Sequence, residues 1–175
     1  MIFIHFSLDI SPLDFPWATV EENIAYGLKV KKRPKSEIKE RVEEMLRLVG
    51  LEEYRNYYPG QLSASMLQLV SIARAFAVQQ ELLLMDEPYG QLDNSMRYKL
   101  EDELISLWQR IGTTVIFITH NIEEAVYLSE RILVLTNKPT GIKKEIRNDL
   151  SRPRDVTGAA FNELRDEVTD LIKWW

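Results

Sequence analysis

The sequence predicts a parallel, doubly wound α/β sheet with a helical segment ahead of it, on three observations. Residues 82–86 (LLLMD) form a continuous apolar run ending in acid, which is how a strand buried on both faces reads. Residues 113–119 (TTVIFIT) repeat that pattern after a helical stretch closed by Gly112. From there the order strand, helix, strand continues through residues 131–136 (RILVLT), and such alternation builds parallel sheets.

Taken from the N-terminus, residues 1–6 (MIFIHF) read as a short strand, and Pro12 and Pro16 place a loop over 7–17. The run TVEENIAYGL opens a helix with Thr19 as N-cap and Glu22 at capping-box spacing. Residues 29–35 (KVKKRPK) read as a solvated, basic connector rather than a phosphate-binding patch. Ser36 is the expected N-cap of a second helix, with Ile38, Val42, Met45, Leu46 and Val49 on one face and Gly50 as its stop. Residues 54–60 form a turn, 63–79 a long apolar helix with Ser63 as N-cap, and 93–110 an amphipathic helix. A short helix at 121–129, a turn plus edge strand at 138–149 and a C-terminal helix at about 157–173 complete the chain. The expected division is 1–62, 63–150 and 151–175.

Length and composition narrow the function. The chain has 175 residues, 45% hydrophobic and 28% charged, which suits one ordinary domain or two small ones. Its net charge of −5 argues against a general nucleic-acid binder. With no cysteine there are no disulfides, thiolate metal sites or Cys nucleophile, and the cytosol suits such a chain. No apolar run reaches the roughly 18–20 residues of a membrane helix. The start carries neither a basic n-region nor a small-residue cleavage site, so a signal peptide is not expected.

Three stretches carry chemistry. In LLLMDEP, Asp86 and Glu87 stand at the carboxyl end of a strand, where parallel sheets gather ligands, and they point apart because side chains alternate. One can hold a hydrated Mg²⁺ while the other polarises an attacking water; the plainer alternative is an acidic strand end that caps the next helix. In FITHNIEEA, His120 directly follows a buried strand, either as a structural histidine or as a donor to a terminal phosphate. In residues 58–76, Ser63 offers a hydroxyl and a helix N-terminus to an anion, or is a plain N-cap.

The order QLS…IARA, LLLMDEP, LD, THN-EEA resembles the ATP-binding cassette (ABC) ATPase subunits of transporters. The pattern PW-TV-EN and the tail from Leu135 are most similar to the nitrate/sulfonate/taurine-type importers. The resemblance implies a P-loop NTPase sheet, here incomplete, with an α-helical subdomain, and ATP and Mg²⁺ as cofactors. It implies that Asp86 is the Walker B carboxylate near Mg²⁺, Glu87 the catalytic base and His120 the switch histidine. Ser63 would belong to the signature segment that meets the γ-phosphate, and Leu92 and Asp93 to the D-loop. Phe15, Pro16, Trp17 and Val20 would dock on transmembrane permease subunits through a partly exposed apolar surface. The implied assembly is a dimer with itself or another ABC ATPase, cytoplasmic and peripheral on the inner face of the membrane.

The departures set two expectations against each other. No G-x-x-x-x-G-K-[ST] occurs in the 175 residues, no glutamine precedes Gln61, and the signature reads Leu62-Ser63-Ala64-Ser65-Met66 in place of LSGGQ. Two Cβ atoms there hinder close approach of backbone N–H groups to phosphate. One expectation is the ATPase subunit of an importer, in an N-terminally truncated or degenerate copy. The other, favoured for the isolated chain, is a non-catalytic ABC-like interaction module.

Overall fold

The computed structural model describes residues 15–89, 94–136 and 140–172. The strand expected at 1–6 and the D-loop residues Leu92 and Asp93 lie outside them. The chain divides into two compact units, one running to Ile118 and one from Thr119, and each is described by itself.

In the first unit, α1 (Val20–Val30) begins as the sequence predicts. Thr19 Oγ1 accepts the Glu22 N–H at 3.3 Å, and the Glu22 carboxylate accepts the Thr19 N–H at 2.9 Å. That backbone hydrogen bond holds the Glu22 carboxyl below its ordinary value of 4.5. Its folded pKa is depressed, so its stabilising contribution is present above the ordinary value and lost as the pH falls below it. The thermal midpoint of Glu22→Gln is expected to lie below that of the wild type at neutral pH, and the gap to close in acid. Past Lys31, Lys32 takes a left-handed φ of 55°, a region in which glycine is free of strain.

Helix α2 (Lys35–Leu48) corrects one expectation: Ser36 lies inside the helix and Pro34 stands at the N-cap, without a side-chain cap bond. The proline ring fixes φ at −56° and the chain enters the helix at the next residue. Val42, Met45, Leu46 and Val49 are buried, Ile38 only half-buried, and Gly50 ends the turn at φ 66°. Two short 3₁₀ turns, Glu52–Tyr54 and Pro59–Gln61, lead to α3 (Ala64–Ala77). Helix α3 is buried from Gln68 to Phe76 apart from Arg74, which is half-buried, and it packs against α1, α2 and α4 (Asn94–Ile111). A Cβ on Gly27 would lie 2.6 Å from Val78 Cγ2, so the α1–α3 approach requires glycine there. Arg41 of α2 is buried and donates Nε and Nη2 to the Ala77 and Phe76 carbonyls at 3.2 and 2.9 Å, closing the end of α3.

Strands β1 (Leu82–Asp86) and β2 (Thr114–Ile118) pair in parallel, Leu82 opposite Thr114 and Asp86 opposite Ile118. They are not buried on both faces, as the apolar runs suggested. Leu83 and Met85 are buried, whereas Leu82, Ile116 and Ile118 are 46%, 48% and 50% exposed, so the opposite face of the pair is open among the described residues. The runs stay continuously apolar although only one face is packed here.

The second unit also corrects the predicted topology. Strand β3 (Arg131–Leu135) pairs antiparallel with β4 (Ile142–Arg147) in its own two-stranded sheet, and is not a third parallel strand among the described residues. The connection from Thr136 to Ile142 is too short for a parallel crossover. Thr136 and Gly141 close it, N–H to carbonyl at 2.8 Å. Helix α6 (Ala159–Ile172) packs on α5 (Ile122–Leu128) and β3. Within the first unit α3 packs with α1 and α2, and within the second the C-terminal helix packs with α5.

Candidate functional site

Asp86 ends β1, exposed, opposite the last residue of β2. Glu87 follows with its N–H donating to the Ile118 carbonyl at 2.8 Å, so the ladder continues one residue past the strand. Glu87 sits at φ 43°, the left-handed region that non-glycine residues avoid, at a cost on the order of 1–3 kcal/mol. The next two residues hold it there. Pro88 and Tyr89 are buried, the Tyr89 hydroxyl donates to the Leu100 carbonyl at 3.4 Å, and its ring lies 5.9 Å from that of Phe117. The backbone thus turns sharply between two exposed carboxylates while their flanks are fixed in the core. Such a pair can ligate a divalent cation at one carboxylate and orient a water at the other.

In the second unit, His120 is exposed in the turn before α5. Its neighbours define that turn. Thr119 Oγ1 donates to the buried Glu124 carboxylate at 2.6 Å and accepts the Asn121 N–H at 2.9 Å, while Asn121 Oδ1 accepts the Glu123 N–H at 2.9 Å. The other end of α5 is closed from far along the chain. Asn148 Nδ2 and Arg154 Nη1 donate to the Val126 carbonyl at 2.8 and 3.1 Å, and Arg154 Nη1 and Arg152 Nη1 to that of Tyr127 at 2.7 and 3.2 Å. Burial, and secondly the Arg152 charge, push the Arg154 guanidinium down to about 10. Sequence reasoning missed Thr119, Glu124, Arg152 and Arg154; the available signal was two arginines around Pro153 after a polar turn.

Ser63 caps α3 as expected, its Oγ accepting the Met66 N–H at 3.3 Å and lying 3.0 Å from Ser65 Oγ. Toward the N-terminus, Trp17 is 76% exposed, its ring 5.5 Å from that of Phe15, which lies 4.3 Å from Tyr26. Arg74 stands over the Phe15 ring at 5.4 Å. Pro16 is exposed and Phe15 half-buried. Val20 departs from expectation: it is fully buried at the first turn of α1 and adds nothing to the exposed surface.

A profile of the ABC transporter family matches residues 7–90. An aliphatic sulfonates import ATP-binding protein of Bacillus thuringiensis is 44% identical over 88% of this chain and 60% of its own length. A nitrate import ATP-binding protein of Synechocystis sp. is 36% identical over 99% of this chain and 66% of its own. Among solved structures, CbiO1 of Clostridium perfringens, described as part of the ABC transporter complex CbiONQ, superposes with a TM-score of 0.65 at 24% identity, covering 75% of this chain and 51% of that one. The chain belongs to the ABC transporter family, and its fold is the parallel α/β fold of the ABC ATPases. It spans about three fifths of the length of the curated relatives it matches.

Proposed function

We propose that the chain serves as part of the ATP-binding machinery of an importer for small anions, docking on transmembrane permease subunits. The observation that carries this reading is the exposed Asp86–Glu87 pair at the carboxyl end of a parallel strand, in a chain whose relatives are ATP-binding import proteins. The fit to Mg²⁺ is supported by two exposed carboxylates on a backbone turned sharply between them. In this reading Asp86 holds the cation, Glu87 orients the attacking water as base, and His120 donates to the γ-phosphate. Ser63 presents the N-terminus of α3 to phosphate and Asp93 belongs to the dimer contact. Mg²⁺ bound to ATP would neutralise charge building on the phosphates.

The chain itself carries no P-loop motif, and Ala64 and Ser65 stand where close backbone approach matters. For the isolated chain this favours the second reading, an interaction module that docks without turning over nucleotide. In this reading Phe15, Pro16 and Trp17 supply the docking surface and the chain sits on the cytoplasmic face of the membrane. No helix among the described residues is long and apolar enough to cross it. Trp17→Ala is expected to weaken capture by permease-containing membranes at least about tenfold, the loss typical of an exposed aromatic anchor, with the thermal midpoint unchanged. Undiminished capture by that variant would remove the docking role.

A further inference from the structure

The basic turn between α1 and α2 is left unexplained by the fold. Residues 29–35 hold five cations and no acid in a chain of net charge −5, and every one of the seven is exposed. Only Arg33 is ion-paired among the described residues, with Glu37 at 3.6 Å. Helix electrostatics accounts for Lys29 and Lys31, which lie at the negative end of α1. It does not account for Lys35, the first residue of α2, where the positive helix end opposes a cation. Nor does local geometry favour Lys32, whose φ of 55° suits glycine.

The cations do not stand alone. Val30, among them, is 63% exposed, and Tyr26 lies one turn earlier on the same face of α1, 48% exposed. The Tyr26 ring packs against that of Phe15 at a 47° tilt and through it reaches Trp17. An exposed aromatic and aliphatic ridge therefore runs directly into a cationic turn. Cations beside apolar side chains that can enter the headgroup layer are what an anionic bilayer surface selects. A nucleic acid would use the cations but has no use for Val30, and the rest of the chain would repel it.

We propose that the Lys29–Lys35 turn, with Tyr26 and Val30, is a docking surface for anionic lipid headgroups. It rests on the docking reading only in that a membrane partner brings the chain to the bilayer. Each cation near such a surface contributes roughly a fivefold gain in partitioning.

The test uses the whole chain and vesicles without permease. Wild-type chain is expected to co-sediment with vesicles of equal parts phosphatidylcholine and phosphatidylglycerol, not with phosphatidylcholine alone, and to be released by added salt. The Lys31→Gln, Lys32→Gln pair should lower partitioning about 25-fold. Lys32→Gly should lower it about fivefold while raising the thermal midpoint, since glycine relieves the strained φ; that loss is then not unfolding. Val30→Ser should weaken binding without changing its salt dependence. Equal binding to both vesicles, or undiminished binding by the lysine variants, would overturn the proposal. So would wild-type chain that ignores anionic vesicles and binds a DNA duplex through the same lysines. Vesicle binding that survives while Trp17→Ala leaves permease capture intact would instead count against the docking reading alone.

Discussion

Mixed with Mg-ATP, the 175-residue chain is expected to turn over nucleotide no faster than buffer and to melt at nearly the temperature it shows alone. Phosphoryl transfer leaves a protein little to supply beyond positioning and electrostatic stabilisation. Glu87 and His120 can orient water and donate to an oxygen, but this chain has no glycine-rich loop and P-loop lysine to cradle the triphosphate. A ligand present at its own Kd stabilises by only about 0.4 kcal/mol. In a domain of this size that is a shift of about 1 °C. The open face of β1 and β2, with Leu82, Ile116 and Ile118 exposed, adds an expected tendency to self-associate, visible by sedimentation. Phosphate release measured against a Glu87→Gln control decides the matter: turnover that the substitution abolishes would make the isolated chain an enzyme.

Arg154→Ala is expected to give the largest loss of stability of any single substitution in the second unit, about 3 kcal/mol. The Arg154 side chain is almost wholly buried and serves two carbonyls at the end of α5, with Glu130 at 3.6 Å. Truncation removes charge-assisted bonds and leaves a cavity in the same place. Arg154→Lys should recover only part of the loss, since an ammonium at the Nη1 position leaves nothing in place of Nε, which donates to the Leu150 carbonyl at 3.3 Å, or of Nη2, which faces Glu130. Urea titration of both variants measures this, and a loss below about 1 kcal/mol, the net worth of one ordinary hydrogen bond, would show that Arg152 and Asn148 suffice.

Much of the first unit could be read from local signals because local chemistry sets it. The Thr19–Glu22 box, the Ser63 cap and the Gly50 stop each act within one helical turn, and the helices begin or end where those residues stand. Ser36 misled because Pro34 fixes the chain two residues earlier, and a fixed φ decided over a side-chain cap. The strands were found, but not their surroundings. Apolar runs at 82–86 and 114–118 read as strands buried on both faces, and no periodicity separates that from a pair with one open face. The turn and edge strand after residue 136 were read as such, but residues 131–136 were placed in the parallel series, since they look alike in either pairing. At the site, Asp86 and Glu87 were visible as a motif. The strained φ of Glu87 and the Thr119–Glu124 bond were not, because tertiary packing imposes both.

The seven residues of α5 have a consequence for the order of events during synthesis. A helix of that length does not persist in water, because nucleation fixes several dihedrals for one bond. Here its last carbonyls are closed by Asn148, Arg152 and Arg154, which follow 22 to 28 residues later. The turn bearing His120 therefore stays unset while β3 and β4 emerge from the ribosome, and sets only once the segment around Pro153 has left it. A chain released a few residues short of Arg154 would keep the whole His120 stretch and still leave it unformed, so the second unit of such a released chain should be protease-sensitive where that of the full 175-residue chain is resistant.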